Sequence, residues 1–287
     1  MARALWKAVI EFGAVSVPVK LYTAVRQQEI RFNMLHDQDH ARVRQQMVCP
    51  AHPGGEREVP REHIIRGYEL RKGEYVIVQE EDLERCVPEA SRSIRVKKFV
   101  DPKQIDPLFY AKAYYLGPDA HGHKPYALLV RAMLEEEKVA IAEYVLRGKQ
   151  YLGAIRVAQG ETDDAPPVLV LESMRYADEV IPTGGDVEQA IRDLKVDERQ
   201  VKMAEQLIDT LAAKFEPERY KDEYRACVME MIERKARGEH VSLKKARAPK
   251  ATKTPDLTEV LRASLAQAKK RGGKDLEHAA HHRQARA

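Results

Sequence analysis

The 287-residue chain has little cysteine and little aromatic content: three Cys, and 6% Phe, Trp and Tyr with a single tryptophan, Trp6. Cys49, Cys86 and Cys227 are odd in number and far apart, which excludes a disulfide framework and fits reduced thiols in a reducing compartment. No apolar run approaches the ~18 to 20 residues that cross a bilayer. Met1 to Lys7 leads directly into sequence patterned for folding, without the apolar core of a secretory signal. A cytoplasmic protein with no membrane partner is expected. The chain also lacks a phosphate-binding glycine loop, a Gly-x-Ser-x-Gly elbow and a His-Glu-x-x-His helix. With those signatures missing, neither an enzymatic activity nor a cofactor is expected.

Charge is plentiful and nearly balanced, 49 Lys+Arg against 45 Asp+Glu for a net +4. The balance hides a division. Residues 234–287 hold 15 basic and 5 acidic side chains, or +10, which leaves 34 and 40, or −6, for residues 1–233. A basic terminus on an acidic body is suited to a polyanionic partner.

The first 180 residues alternate like strands. In Val15-Ser16-Val17-Pro18-Val19-Lys20-Leu21 the apolar residues fall at every second position, and Pro18 predicts a sheet edge or a bulge because proline cannot donate to a ladder. Tyr75 to Val78, Ile94 to Lys97, Val139 to Leu146, Leu152 to Ala158 and Val168 to Leu171 are further β-rich runs. At least six short strands with turns between them predict a sheet closed into a barrel. One helix interrupts them, with Pro125 in its first turn and Tyr126, Leu129, Val130 and Met133 on one stripe.

From Gly185-Asp186 the period is helical, with Asp186 a candidate N-cap. Val201, Ala204, Leu207, Ile208, Leu211 and Phe215 form one stripe, and Tyr220, Tyr224, Val228 and Met231 or Ile232 form a second on a helix predicted to start at Pro217 and end at Gly238. Helices gathered after strands give an α+β class. The expected division is a barrel over 1–185, a helical arm over 186–238 and a flexible basic extension over 239–287 with a short helix at 255–271.

Two metal-like clusters stand out. His36-Asp37-Gln38-Asp39-His40 has ligand types for a divalent ion but no distant third and fourth ligands, and Cys49-Pro50-Ala51-His52 is half a zinc site without its second half. Both read as loop segments, with no metal. Cations are more informative. Arg42 and Arg44, Arg95 and Lys97 with Lys98 beside them, and Arg147 and Lys149 each stand two apart, so on a strand each pair shares a face and can meet successive phosphates.

An ordered set of motifs then carries a resemblance. Arg3 to Lys7, Phe12 to Tyr22, Ile30-Arg31-Phe32 with Leu35-His36, Gly67-Tyr68-Glu69, Val76 to Val78 with Glu81 to Leu83, and Ser91 to Ile94 follow one another. Ile105 to Pro107, Tyr114 to Leu116 with Pro118-Asp119, Leu146-Arg147, and Leu169 to Leu171 with Met174 to Tyr176 and Asp178-Glu179 complete it. Over about residues 2–235 the chain resembles the bacterial Ku proteins of non-homologous end joining, and residues 256–270 resemble the family's basic extension. Where many members carry Cys-x-x-Cys, this chain has Cys49-Pro50-Ala51-His52, which speaks against a structural zinc.

The resemblance implies a β-barrel core with an arching bridge loop at about residues 40–74, a C-terminal helical arm, and a ring-shaped homodimer threaded by duplex DNA. It implies binding of double-stranded DNA ends without regard to sequence, in break repair near the nucleoid, and recruitment of an ATP-dependent repair ligase. The expected DNA contacts are Arg31, Arg42, Arg44, Arg57, Arg66, Lys97, Lys98, Arg147 and Lys149. In the extension they are Lys244, Lys245, Arg247, Lys250, Lys253, Lys269, Lys270 and Arg271. Arg61 and Lys72 also fall in the bridge. The rival classes are a metal-dependent nuclease using His36, Asp37, Asp39 and His40, and an RNA-binding barrel; neither accounts for the ordered motifs.

Overall fold

Short alternating strands and one apolar-striped helix assemble into a closed barrel in the computed structural model. It describes residues 3–51, 57–86, 92–160, 165–192, 194–239 and 258–267. The chain divides into two units, Met1–Pro182 and Thr183–Ala287.

In the first unit the barrel strands are β1 (Trp6–Phe12), β2 (Val15–Thr23), β7 (Ser93–Val100), β8 (Tyr110–Pro118), β9 (Val139–Leu146), β10 (Lys149–Ala158) and β11 (Val168–Met174). The remaining strands, β3 (Val48–Cys49), β4 (Arg57–Glu58), β5 (Arg66–Arg71) and β6 (Glu74–Val78), lie outside it. The order β1-β2-β8-β11-β10-β9-β7 closes through a parallel pairing of β7 with β1. Alternation on β2 turns Val17, Val19 and Leu21 inward, where they join Ile10, Ile94, Leu116, Ile155, Leu169 and Leu171, all at most 1% exposed. Each such side chain contributes about 1.5–3 kcal/mol by leaving water.

The helix α2 (His123–Glu135) buries Tyr126, Leu129, Val130 and Met133 in the same core, as its stripe predicts. A shorter helix, α1 (Glu80–Cys86), follows β6 and buries nothing. A smaller core forms on the outer face, where Ile105 and Phe109 pack on Val139, Ala154 and Met174.

The strand that carries Pro18 is neither an edge strand nor bulged, although one neighbour stops beside the proline. β2 is paired on both sides, and its register with β8 begins only at Val19 opposite Pro118. The strand tolerates the proline because β8 has ended there: the N–H of Asp119 donates to the Pro18 carbonyl at 3.0 Å, and nothing needs the missing donor. A Cβ on Gly122 would lie 2.3 Å from that same carbonyl oxygen, so the approach of this loop to β2 requires glycine. Tyr75 to Val78, expected among the barrel strands, belongs instead to the separate β5–β6 ribbon.

The second unit holds α3 (Asp186–Arg192), α4 (Glu198–Leu211) and α5 (Glu223–Ala236), with residues 258–267 also helical. The helix expected from Pro217 begins later: Pro217–Arg219 is a 3-10 turn, and Asp222 caps α5 by accepting from the Arg225 N–H at 2.9 Å. Tyr220 and Phe215 therefore lie outside the helices whose stripes were expected to include them, and their rings stack with centroids 5.7 Å apart. Gln200 donates to the Thr258 hydroxyl at 3.3 Å, joining α4 to residues 258–267.

Candidate nucleic-acid interface

Between β2 and β7 the chain leaves the barrel for an excursion that buries almost nothing. Its ribbon, β5 with β6, is exposed on both faces: Arg66 and Tyr68 stand opposite Val78 and Val76 on one, and Gly67 and Glu69 stand opposite Ile77 and Tyr75 on the other. A two-stranded hairpin is marginal in water by itself, and Tyr68 and Tyr75 remain 66% and 62% exposed.

The excursion carries Arg31, Arg42, Arg44, Arg57 and Arg66, all exposed. Arg42 is fixed by a bridge between its backbone and that of Leu35, and Arg57 stands opposite Cys49. Between Asp39 and Glu56 every formal charge is positive. Arg31, Arg42, Arg44 and Arg57 have no carboxylate partner among the described residues, whereas Arg66 pairs with Glu80 at 2.9 Å.

The His36 to His40 run is a turn. Asp39 accepts from the Ala41 N–H at 3.0 Å and lies 2.8 Å from His36 Nδ1, and these bonds, the Ala41 one first, hold its carboxyl below the usual carboxylate range. Its carboxylate is thus used in closing the loop, and no group of three or more metal-ligating side chains gathers among the described residues. Cys49 is half-buried on β3; His52 lies outside the described residues.

On the barrel wall Arg95 and Lys97 do share the outer face of β7, with Lys97 at a bulge. Their neighbours are acidic. Glu11 of β1 lies 3.9 Å from Arg95 and accepts from the Ser93 hydroxyl, and Glu143 of β9 lies 3.0 Å from Lys97. This face is a compensated ladder rather than a bare cationic stripe, and only Lys98 beside it has no carboxylate partner among the described residues.

Arg147 and Lys149 do not share a strand face, because the strands end between them. β9 stops at Leu146, β10 starts at Lys149, and Arg147 and Gly148 have φ of 54° and 75°, the two positive angles of a type I′ turn. Asn-Gly is the favoured sequence there; a left-handed arginine costs roughly 1–2 kcal/mol. The guanidinium stands at the exposed tip of the hairpin despite that cost. The expected contacts Lys244, Lys245, Arg247, Lys250, Lys253, Lys269, Lys270 and Arg271 lie outside the described residues.

The geometry defines a class: a closed α+β barrel with a long, cation-bearing excursion and an appended helical unit. Residues 11–203 match the Ku70/Ku80 beta-barrel domain family. Over 273 residues the chain is 44% identical to the non-homologous end joining protein Ku of Anaeromyxobacter sp. (strain K), covering 95% of this chain and 88% of that one. It is 42% identical over 262 residues to the protein of that name from Desulfitobacterium hafniense, covering 91% and 87%, and 38% identical over 272 residues to that of Heliobacterium modesticaldum, covering 94% and 93%. The chain belongs to the Ku family.

Proposed function

We propose that this chain binds double-stranded DNA ends in non-homologous end joining, as a scaffold rather than an enzyme, by holding duplex through a homodimeric ring. The observation that carries the reading is the barrel with its unbacked, arginine-bearing excursion, found in a chain whose relatives bear the end-joining name. Contacts from Arg31, Arg42, Arg44, Arg57, Arg66, Lys98, Arg147 and Lys149 go to phosphates, which position without reading bases. Arg66 makes its contact by leaving Glu80, and Lys97 joins them only by leaving Glu143. A break of any sequence is then an acceptable substrate.

An isologous pairing lets one gene product close the ring. The β5–β6 ribbon and the exposed Ile208, Leu211, Tyr220 and Tyr224 of the helical unit offer apolar surface for it. The helical unit and the basic extension, Lys244 to Arg271, recruit the ATP-dependent repair ligase and add non-specific attraction to DNA near the nucleoid. Among the described residues no helix is long and apolar enough to cross a membrane.

The test compares linear duplex with a covalently closed circle of equal length, alongside the mass of the free protein. A threaded dimer binds the linear form and fails to load on the circle. Equal binding to both, or a monomeric mass, overturns the reading.

A further inference from the structure

At one end of the barrel the apolar core gives way to a partly polar pocket. There β8 begins, β9 ends, β10 begins and β11 ends, and the inward positions change character along each strand. Leu116 gives way to Tyr114 and Lys112, Ala142 to Tyr144, Ile155 to Tyr151 and Lys149, and Leu171 to Ser173. The segment after β11 adds Arg175, Tyr176 and Glu179 to the rim. Together they enclose a cavity of about 400 Å³, within the range of small-ligand pockets and at a barrel mouth, where such pockets recur.

Its chemistry is specific. Lys112, Lys149 and Arg175 meet one carboxylate, Glu179, whose Oε2 accepts from the Tyr176 N–H at 2.7 Å. Arg175 is held in place by donating to the backbone carbonyls of Leu108 and Tyr110, contacts that fix the guanidinium without neutralising it. Lys112 and Lys149 have no carboxylate partner among the described residues. The wall beside these cations is aromatic: Tyr151 stacks at 5.4 Å and 22° on Tyr144, which is itself buried in the core, and Tyr176 stands at the rim. Burial pushes the Tyr144 hydroxyl up to about 12, against a hydrogen bond with Ser173 that lowers it.

Cations without acidic partners recognise phosphate, and tyrosine rings recognise a flat heterocycle. We infer that the barrel mouth is a binding site for a phosphorylated nucleoside, with the phosphate among Lys112, Lys149 and Arg175 and the base against Tyr151 and Tyr176. The same chemistry is offered by a free nucleotide and by an unpaired, 5′-phosphorylated nucleotide at a DNA terminus. Only the second source rests on the end-binding reading above.

The single tryptophan supplies the readout, since Trp6 packs against Tyr144 with ring centroids 6.3 Å apart. The full chain is titrated with dAMP and ATP, then with inorganic phosphate, while Trp6 fluorescence is followed. Blunt duplex and duplex with a short 5′-phosphorylated overhang are compared in parallel. A saturable change with nucleotide and none with inorganic phosphate assigns the pocket to free nucleotide, and Lys112→Gln then weakens it about tenfold. A change confined to the overhang duplex, with the overhang preference lost in Lys112→Gln and blunt-end binding kept, assigns it to a strand terminus. Tyr151→Leu separates ring from charge: it lowers nucleotide affinity while leaving any response to inorganic phosphate alone. No change with any nucleotide or overhang, an equal change with inorganic phosphate, or nucleotide binding unaltered in both variants overturns the inference. Failure of blunt duplex to bind at all would count against end binding and leave the nucleotide arm standing.

Discussion

Tyr126 shows how one side chain joins helix to barrel. Its hydroxyl donates to the Leu116 carbonyl at 2.6 Å and accepts from the Leu169 N–H at 2.9 Å, so it stands between β8 and β11 where their backbones would otherwise lack a partner. Tyr126→Phe strands a buried N–H and a carbonyl, and urea unfolding at fixed protein concentration should show a loss of about 1–3 kcal/mol. Asp119 plays a surface counterpart. Lys7 and Lys20 are direct cross-strand neighbours, an unfavourable pairing that Asp119 relieves at 3.8 and 2.7 Å. The bond from Lys20, then that from the Ala120 N–H, holds the Asp119 carboxyl at about 2, and the same contact raises Lys20. A carboxyl with a depressed folded-state value favours the fold above its unfolded value of about 4. That contribution is lost as pH falls from about 4 to about 2. Thermal midpoints measured across this window should drop more steeply in the parent than in Asp119→Asn, which has lost the contribution already.

At the scale of elements, the β9–β10 hairpin separates stability from binding. Arg147→Asn installs the favoured type I′ pair ahead of Gly148 and should hold or raise the thermal midpoint. If Arg147 meets phosphate as proposed, the same change should weaken binding to linear duplex across all sequences and make the log–log salt slope shallower by about one. A variant that bound DNA as the parent does would remove Arg147 from the interface. The β7 ladder behaves in the opposite way. Glu143→Gln releases Lys97 from its 3.0 Å partner, so affinity for DNA should rise if this face lies near phosphate and stay constant if it points elsewhere.

For the whole molecule, the proposed end binding gives the division of charge into a −6 body and a +10 terminus a role in how DNA is approached and held. Removing residues 239–287 should leave the dimer mass and end binding in place while the complex dissociates faster and its salt dependence becomes shallower. An unchanged salt slope in the truncated chain would remove the extension from DNA contact. The two units enter this differently: the barrel has a continuous buried core, whereas α4 and α5 bury no residue fully. The helical unit is therefore the part whose stability should depend most on protein concentration, read by hydrogen exchange at dilute and concentrated protein.

The alternation of β2, the stripe of α2 and the charge division were legible in the amino-acid sequence, because side-chain period and composition are local properties. The ordered motifs placed the chain in its family on the same footing. Strand neighbours are not local. That β1 lies beside β7, and so brings Glu11 to Arg95, while β9 brings Glu143 to Lys97, follows only from barrel closure. The two-residue spacing of Arg147 and Lys149 was legible, but the turn between them reversed its meaning. Pro18 was read correctly as unable to donate and wrongly as a sheet edge, since only the end of β8 decides what it faces. The pocket at the barrel mouth is the extreme case. Lys112, Lys149 and Arg175 have no spacing that sequence periodicity would detect, and they share a cavity because four strands start or stop at one end of a closed sheet.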